Sequence, residues 1–177
     1  MGYLKETAPK EDITDVLDVV IGRAAHRWKD LKTSGVSKEA FLSQTLPSED
    51  VVKGNGDGVV NDKVMLLHDD HPLFEGIVKS GGFDHCSNSI AYPPMSFMPW
   101  HTNSDAVGLR TYYSYSQKES LFMWVHPETK ETHVEKDNIG WTCRNFIVPS
   151  NKDLNLWHSV WSEGVRFAFG FNRYRKH

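Results

Sequence analysis

The chain has little sulfur, no long apolar run and almost no net charge, and each shortage removes a class of protein. Two cysteines, Cys86 and Cys143, among 177 residues are too few for a disulfide framework. Both fall in strand-like segments and are expected to be buried free thiols. No uninterrupted apolar stretch approaches the roughly 20 residues of a membrane-crossing helix. A formal net charge of −3 creates no global field toward nucleic acid or an anionic membrane. The first residues, Met1 to Asp12, are charged and lack the apolar stretch of a signal peptide, so a cytoplasmic location is expected. Internal repeats, low-complexity tracts and an interdomain linker are also missing. What remains, 39% hydrophobic and 24% charged, is a globular composition of single-domain size. Residues 1–82 read as helical support with a first strand, and 83–173 as a β core.

Ile13, Val16, Leu17, Val20 and Ile21 recur at helical spacing, and the run continues to Trp28 and Leu31. Asp12 or Thr14 is a candidate cap. Ser37–Leu42 reads as a short second helix ended near Pro47. Gly54–Gly58 is a turn, and Pro72–Lys79 a third helix with proline at its first position and Gly81-Gly82 at its end. Beyond this the texture changes to β-branched and aromatic runs: Ser87–Tyr92, Ser96–Thr102, Leu109–Ser116, Leu121–Val125, Trp141–Val148, Leu154–Val160 and Val165–Asn172. Val59–Leu67 and Thr132–Glu135 are lesser strands. No helix separates the late strands, which predicts an antiparallel sandwich or jelly roll with helices packed outside, not βαβ units.

The chemistry concentrates in three residues. His101 ends one strand-like run, His158 lies in the later run Leu154–Val160, and Arg166 follows eight residues on, inside the apolar strand Val165–Phe171. Burying an arginine is unfavourable unless an anion meets it. Two converging imidazoles suit Fe, Zn, Cu or Ni, and a two-histidine-plus-carboxylate face with open positions suits non-haem Fe(II). A metal beside a carboxylate-binding arginine outlines an oxygenase that uses a keto-acid cosubstrate.

On His101-Thr102-Asn103, the tyrosine-rich strand Arg110–Tyr115, His158 and Arg166, the segment from about Ser87 to Asn172 resembles the Fe(II)/2-oxoglutarate oxygenases, nearest the compact prolyl-hydroxylase-like branch. The resemblance covers about half of the chain. It implies a double-stranded β-helix, a metal held by His101, Asn103 and His158, and Arg166 gripping the distal carboxylate of 2-oxoglutarate. A tyrosine of the Arg110–Ser116 strand assists, Tyr113 by preference, with Tyr115 on the same face. The implied reaction is hydroxylation of a substrate C–H with O2, releasing succinate and CO2. One departure stands out: the family carries Asp or Glu where this chain has Asn103. Three readings follow, in order of preference: Asn103 ligates through its carbonyl, Asp105 reaches the metal, or no protein group fills the position.

Other motifs have plainer readings. His68-Asp69-Asp70-His71 is a rival metal cluster, but its ligands are crowded just before Pro72 and suit a helix start, with the acids near the positive end of its dipole. Asp57-Gly58 is no calcium loop, because Lys53 and Val64 occupy the ligand positions. Trp100 and Trp157 each precede a proposed ligand and are expected to wall the metal pocket. Arg144 is a second anion contact or a surface ion pair. The tail Arg173–His177 reads as a solvated terminus. The competing functions are a cupin-like metal enzyme without 2-oxoglutarate and a jelly-roll binding module with a decayed site. The substrate, whether peptide, nucleobase or small metabolite, and the oligomeric state are not encoded in any readable motif.

Overall fold

Ile13, Leu17 and Val20 form one buried stripe, and the helix that carries them, α1, runs Glu11–Arg23 before a single further turn, α2, Ala25–Trp28. The computed structural model describes residues 3–6, 11–28, 35–45, 64–67, 71–103 and 107–174. Helix α3, Lys38–Leu42, begins at Ser37, whose Oγ accepts the Ala40 N–H at 3.1 Å. Helix α4, Pro72–Gly81, begins at His71, whose Nδ1 accepts the Leu73 N–H at 3.2 Å. It ends at Gly82, in the left-handed region at φ 64°. His71 is therefore a cap. His68, Asp69, Asp70 and the Gly54–Gly58 turn lie outside the described residues. The helix start at Glu11 puts Thr14 inside α1, not at its cap. No helix among the described residues is long and apolar enough to cross a membrane.

Ten strands are present among the described residues. They are β1 Tyr3–Glu6, β2 Val64–Met65, β3 His85–Tyr92, β4 Ser96–His101, β5 Gly108–Ser116, β6 Ser120–Val125, β7 Thr132–Lys136, β8 Gly140–Val148, β9 His158–Ser162 and β10 Arg166–Tyr174. All pairings are antiparallel. One sheet has the order β1-β8-β5-β10-β3-β2 and the other β4-β9-β6-β7. This is the expected jelly roll, a double-stranded β-helix. Two details differ from expectation. β1 is a strand in the charged N-terminal segment, where none was expected, paired to β8 through Tyr3↔Phe146 and its neighbours. The strand expected from Leu154 starts only at His158, because Asn151 and Lys152–Leu154 fold into a 3-10 turn.

The two faces of each strand have different fates. On β10, Phe167, Phe169 and Phe171 point outward and pack with Leu17, Val20, Phe74 and Ile77 of the helices. Each is fully buried and contributes about 1.5–3 kcal/mol. Arg166, Ala168 and Gly170 alternate with them and face inward. The outer face of the smaller sheet is closed by Phe41 of α3, packed with Trp100, Leu121, Met123, Val125 and Trp161. Trp100 and Trp157 thus belong to that outer cluster and do not wall the cavity, a correction to the sequence reading.

Gly170 marks a close approach inside the roll. A Cβ there would come within 2.8 Å of the Tyr112 ring, 2.9 Å of Ser87 Oγ and 3.0 Å of Asn88 Nδ2. Gly170→Ala is expected to cost about 1–3 kcal/mol through overpacking, read as a lowered thermal midpoint. An unchanged midpoint would mean these three side chains move aside freely.

Candidate active site

Between the sheets lies a cavity of about 280 Å³. Its lining includes His101, Asn103, His158, Arg144, Arg166 and Tyr112. At one end the register pairs His101 with His158, and their ring centroids are 4.0 Å apart. Each Nδ1 meets the carbonyl two residues earlier: His101 to Pro99 O at 2.8 Å, His158 to Leu156 O at 3.1 Å. A carbonyl only accepts, so both Nδ1 atoms carry a proton, which leaves each Nε2 as the nitrogen that would bind a metal. Asn103 Nδ2 lies 3.2 Å from His158 Nε2 and donates to it. Burial, and then the neighbouring His101, push His158 well below the ordinary histidine range. It therefore stays neutral, the state a metal ligand needs.

This donor set fits a divalent first-row metal. Two imidazole Nε2 lone pairs converge, and turning the Asn103 amide about its last torsion would present its oxygen beside them. The tie from each Nδ1–H to a carbonyl is the outer-shell contact that orients metal-binding histidines. Among the described residues no group of three His, Cys, Asp or Glu side chains could hold a metal. Asp105, the alternative third ligand, lies outside the described residues.

The other end of the cavity is built on charge. Asp137 follows β7 and is completely buried. Its Oδ1 meets Arg144 Nη1 at 2.5 Å and its Oδ2 meets Arg166 Nε at 3.3 Å. Ser120 Oγ donates to Oδ2 at 3.0 Å. Burial alone would raise this carboxyl, but the Arg144 and Arg166 guanidinium groups outweigh it and hold it below the ordinary carboxylate value. Arg144 also lies over the Phe122 ring, 4.4 Å from its centroid, and Arg166 over Tyr92 at 5.8 Å. Glu135, a quarter exposed, adds a second carboxylate 3.9 Å from Arg144 Nη2, whereas Arg166 meets Asp137 through its Nε. Phe122 stands between the two ends: Arg144 lies over its ring and His158 stacks against it at 5.4 Å.

His101, Asn103, His158 and Arg166, the candidates from the sequence, all line this cavity. Tyr113 goes elsewhere. It lies on the helix-covered face of β5, with its ring centroid 5.8 Å from that of Phe171, and Tyr115 shares that face. Tyr112 and Ser114 are the β5 residues that line the cavity, and Tyr112 stacks on Phe146 at 5.7 Å. Arg144 is neither at the surface nor in an exposed ion pair. Asp137, Ser87 and Asn88 were not anticipated, because no motif or spacing in the sequence marks them.

No protein-family model matches the sequence, and no curated protein matches it. Among solved structures, a Pseudomonas putida prolyl-4-hydroxylase superposes with a TM-score of 0.54 at 10% identity, covering 99% of this chain and 94% of that one. OsALKBH1 gives 0.49 at 10% identity over 97% and 98%. An oxalate oxidase in complex with glycolate gives 0.37 at 15% identity, and the match covers 50% of this chain and 41% of the oxidase. At these identities the likeness to the hydroxylase establishes a shared jelly-roll fold.

Proposed function

We propose that this protein is a non-haem Fe(II)- and 2-oxoglutarate-dependent oxygenase that hydroxylates a C–H bond of its substrate and releases succinate and CO2. One observation carries the reading: a close histidine pair and a pair of buried arginines line one cavity. Bound iron would supply O2 activation and oxidative decarboxylation of the keto acid. His101, His158 and Asn103 would hold it. Arg166, with Arg144 beside it, would bind the distal carboxylate, a charged contact worth about 1.5–3 kcal/mol. Phe122, Phe146, Ile90 and Val160 line the space between and exclude water. Asn88 Oδ1 is buried, has no hydrogen-bond partner among the described residues, and lies in the lining, ready to accept from a donor on the ligand.

The direct test is succinate release from 2-oxoglutarate with Fe(II) and O2, with or without a primary substrate. Release that stops when any of the three is omitted supports the reading; absence of both iron binding and turnover at saturating cosubstrate overturns it. The Asn103–His158 hydrogen bond favours one second reading, a binding module whose metal site has decayed. Asn103→Asp separates the two. If Asn103 is a ligand, restoring a carboxylate should tighten Fe(II) binding by about tenfold or more in a metal titration. Unchanged affinity would place the third ligand elsewhere or nowhere.

A further inference from the structure

Beneath Asn103 lies a buried polar chain that the proposed chemistry does not use. Arg110 of β5 is 2% exposed and sits beside Asn172 of β10, itself 2% exposed, which in turn pairs with His85 of β3. Arg110 Nη1 donates to Asn172 Oδ1, and its Nη2 donates to the Asn103 carbonyl at 3.5 Å. The donor directions are fixed by this contact. With its oxygen turned to Arg110, Asn172 presents its Nδ2–H to His85 Nε2 at 3.0 Å. The Tyr174 hydroxyl lies 2.9 Å from His85 Nδ1 and 3.3 Å from its Nε2, against the imidazole ring, so the chain of side-chain hydrogen bonds ends at His85. It runs through three adjacent strands to the backbone of Asn103.

We infer that Arg110, locked in place by Asn172, is a positioning residue for Asn103 and sets how that amide meets the metal site. This rests on the reading of Asn103 as a metal-site residue. The physical reason is the missing carboxylate. A charged ligand is drawn to a dication, whereas a neutral amide is drawn weakly, so its contribution depends on being held in place beforehand. The Arg110 fork fixes the backbone at Asn103, the residue whose side chain reaches His158. A lysine at 110 would keep the charge but could not bridge both carbonyls with one planar group.

The test is a double-mutant cycle read by Co(II) binding and the visible Co(II) spectrum of the full chain. Arg110→Lys should weaken Co(II) binding by about tenfold and alter the spectrum in the otherwise unchanged protein. In an Asn103→Ala background the same change should move affinity by less than about twofold, because the residue through which Arg110 acts is gone. Equal loss in both backgrounds, or no loss in either, overturns the inference and leaves Arg110 a strap between strands. Should Arg110→Lys fail to fold, Asn172→Ser carries the same cycle through the anchor, with the same outcomes. A wild-type chain that binds no Co(II) overturns the metal-site reading first, and that result is distinct from the other two.

Discussion

Asp137→Asn should lower the thermal midpoint by on the order of 10 °C. The carboxylate is the shared partner of Arg144 and Arg166, and all three side chains are buried. An asparagine keeps the shape, but its amide offers one oxygen to two guanidinium groups and turns an N–H toward one of them. Removing one member of a buried charge network leaves the others uncompensated, a loss of about 3–5 kcal/mol, and a chain of this size shifts by about 2–4 °C per kcal/mol. The pH dependence follows from the direction of the shift. Because the folded carboxyl lies below its ordinary value, its stabilisation is complete at neutral pH and is lost as acid titrates it below about pH 4. Thermal unfolding of wild type and variant across pH 3–7 measures both effects. A variant that melts with wild type would show that the arginines do not depend on Asp137.

His158→Ala should abolish metal binding while leaving the fold intact. Changes to residues that only support a metal ligand cost about 10–100-fold in affinity, so loss of the ligand itself should exceed about 100-fold, with turnover falling to background. His158 is packed between Phe122 and Phe146, at ring separations of 5.4 and 5.6 Å, and faces a cavity, so truncation enlarges a space already present. Metal titration followed by circular dichroism separates loss of the ligand from loss of the fold. Retained affinity would remove His158 from the site. The imidazole also has a pH signature in the metal-free protein. Burial and then His101 hold the folded pKa well below the ordinary value, so the unfolded chain takes up a proton first as pH falls. Wild-type stability should therefore decline as pH drops below about 6.5, and His158→Ala should flatten that slope.

Period-two alternation in the late strands, the punctuation of α4 by Pro72 and Gly82, and the stripe Ile13-Leu17-Val20 are local properties, and they were legible because local sterics and hydropathy decide them. The pairing of His101, His158 and Arg166 was legible for a different reason: polar groups at those places in apolar strands are costly unless they share a purpose. Alternation cannot tell which face of a strand looks inward. Tyr113 and Tyr112 are equivalent until β5 is registered against β10, where Ala168↔Ser114 and Gly170↔Tyr112 share the face of Arg166. The same holds for Trp100, one residue before a histidine and on the opposite side of the sheet.

Residue order alone thus determined the main helices, the late strands and their antiparallel class, because each is written in spacing along one segment; the histidine–arginine constellation, drawn from three strands, was reached through the cost of buried polar groups and the resemblance to the oxygenases. Tertiary structure alone decided that Asp137, from a turn, is shared by two arginines, that Tyr112 and not Tyr113 faces the cavity, and that Arg110 meets both Asn172 and the Asn103 carbonyl. Those outcomes depend on contacts between strands distant in sequence. Such contacts are set by register and by the requirement that buried charge find a partner, and neither leaves a periodic mark on the chain.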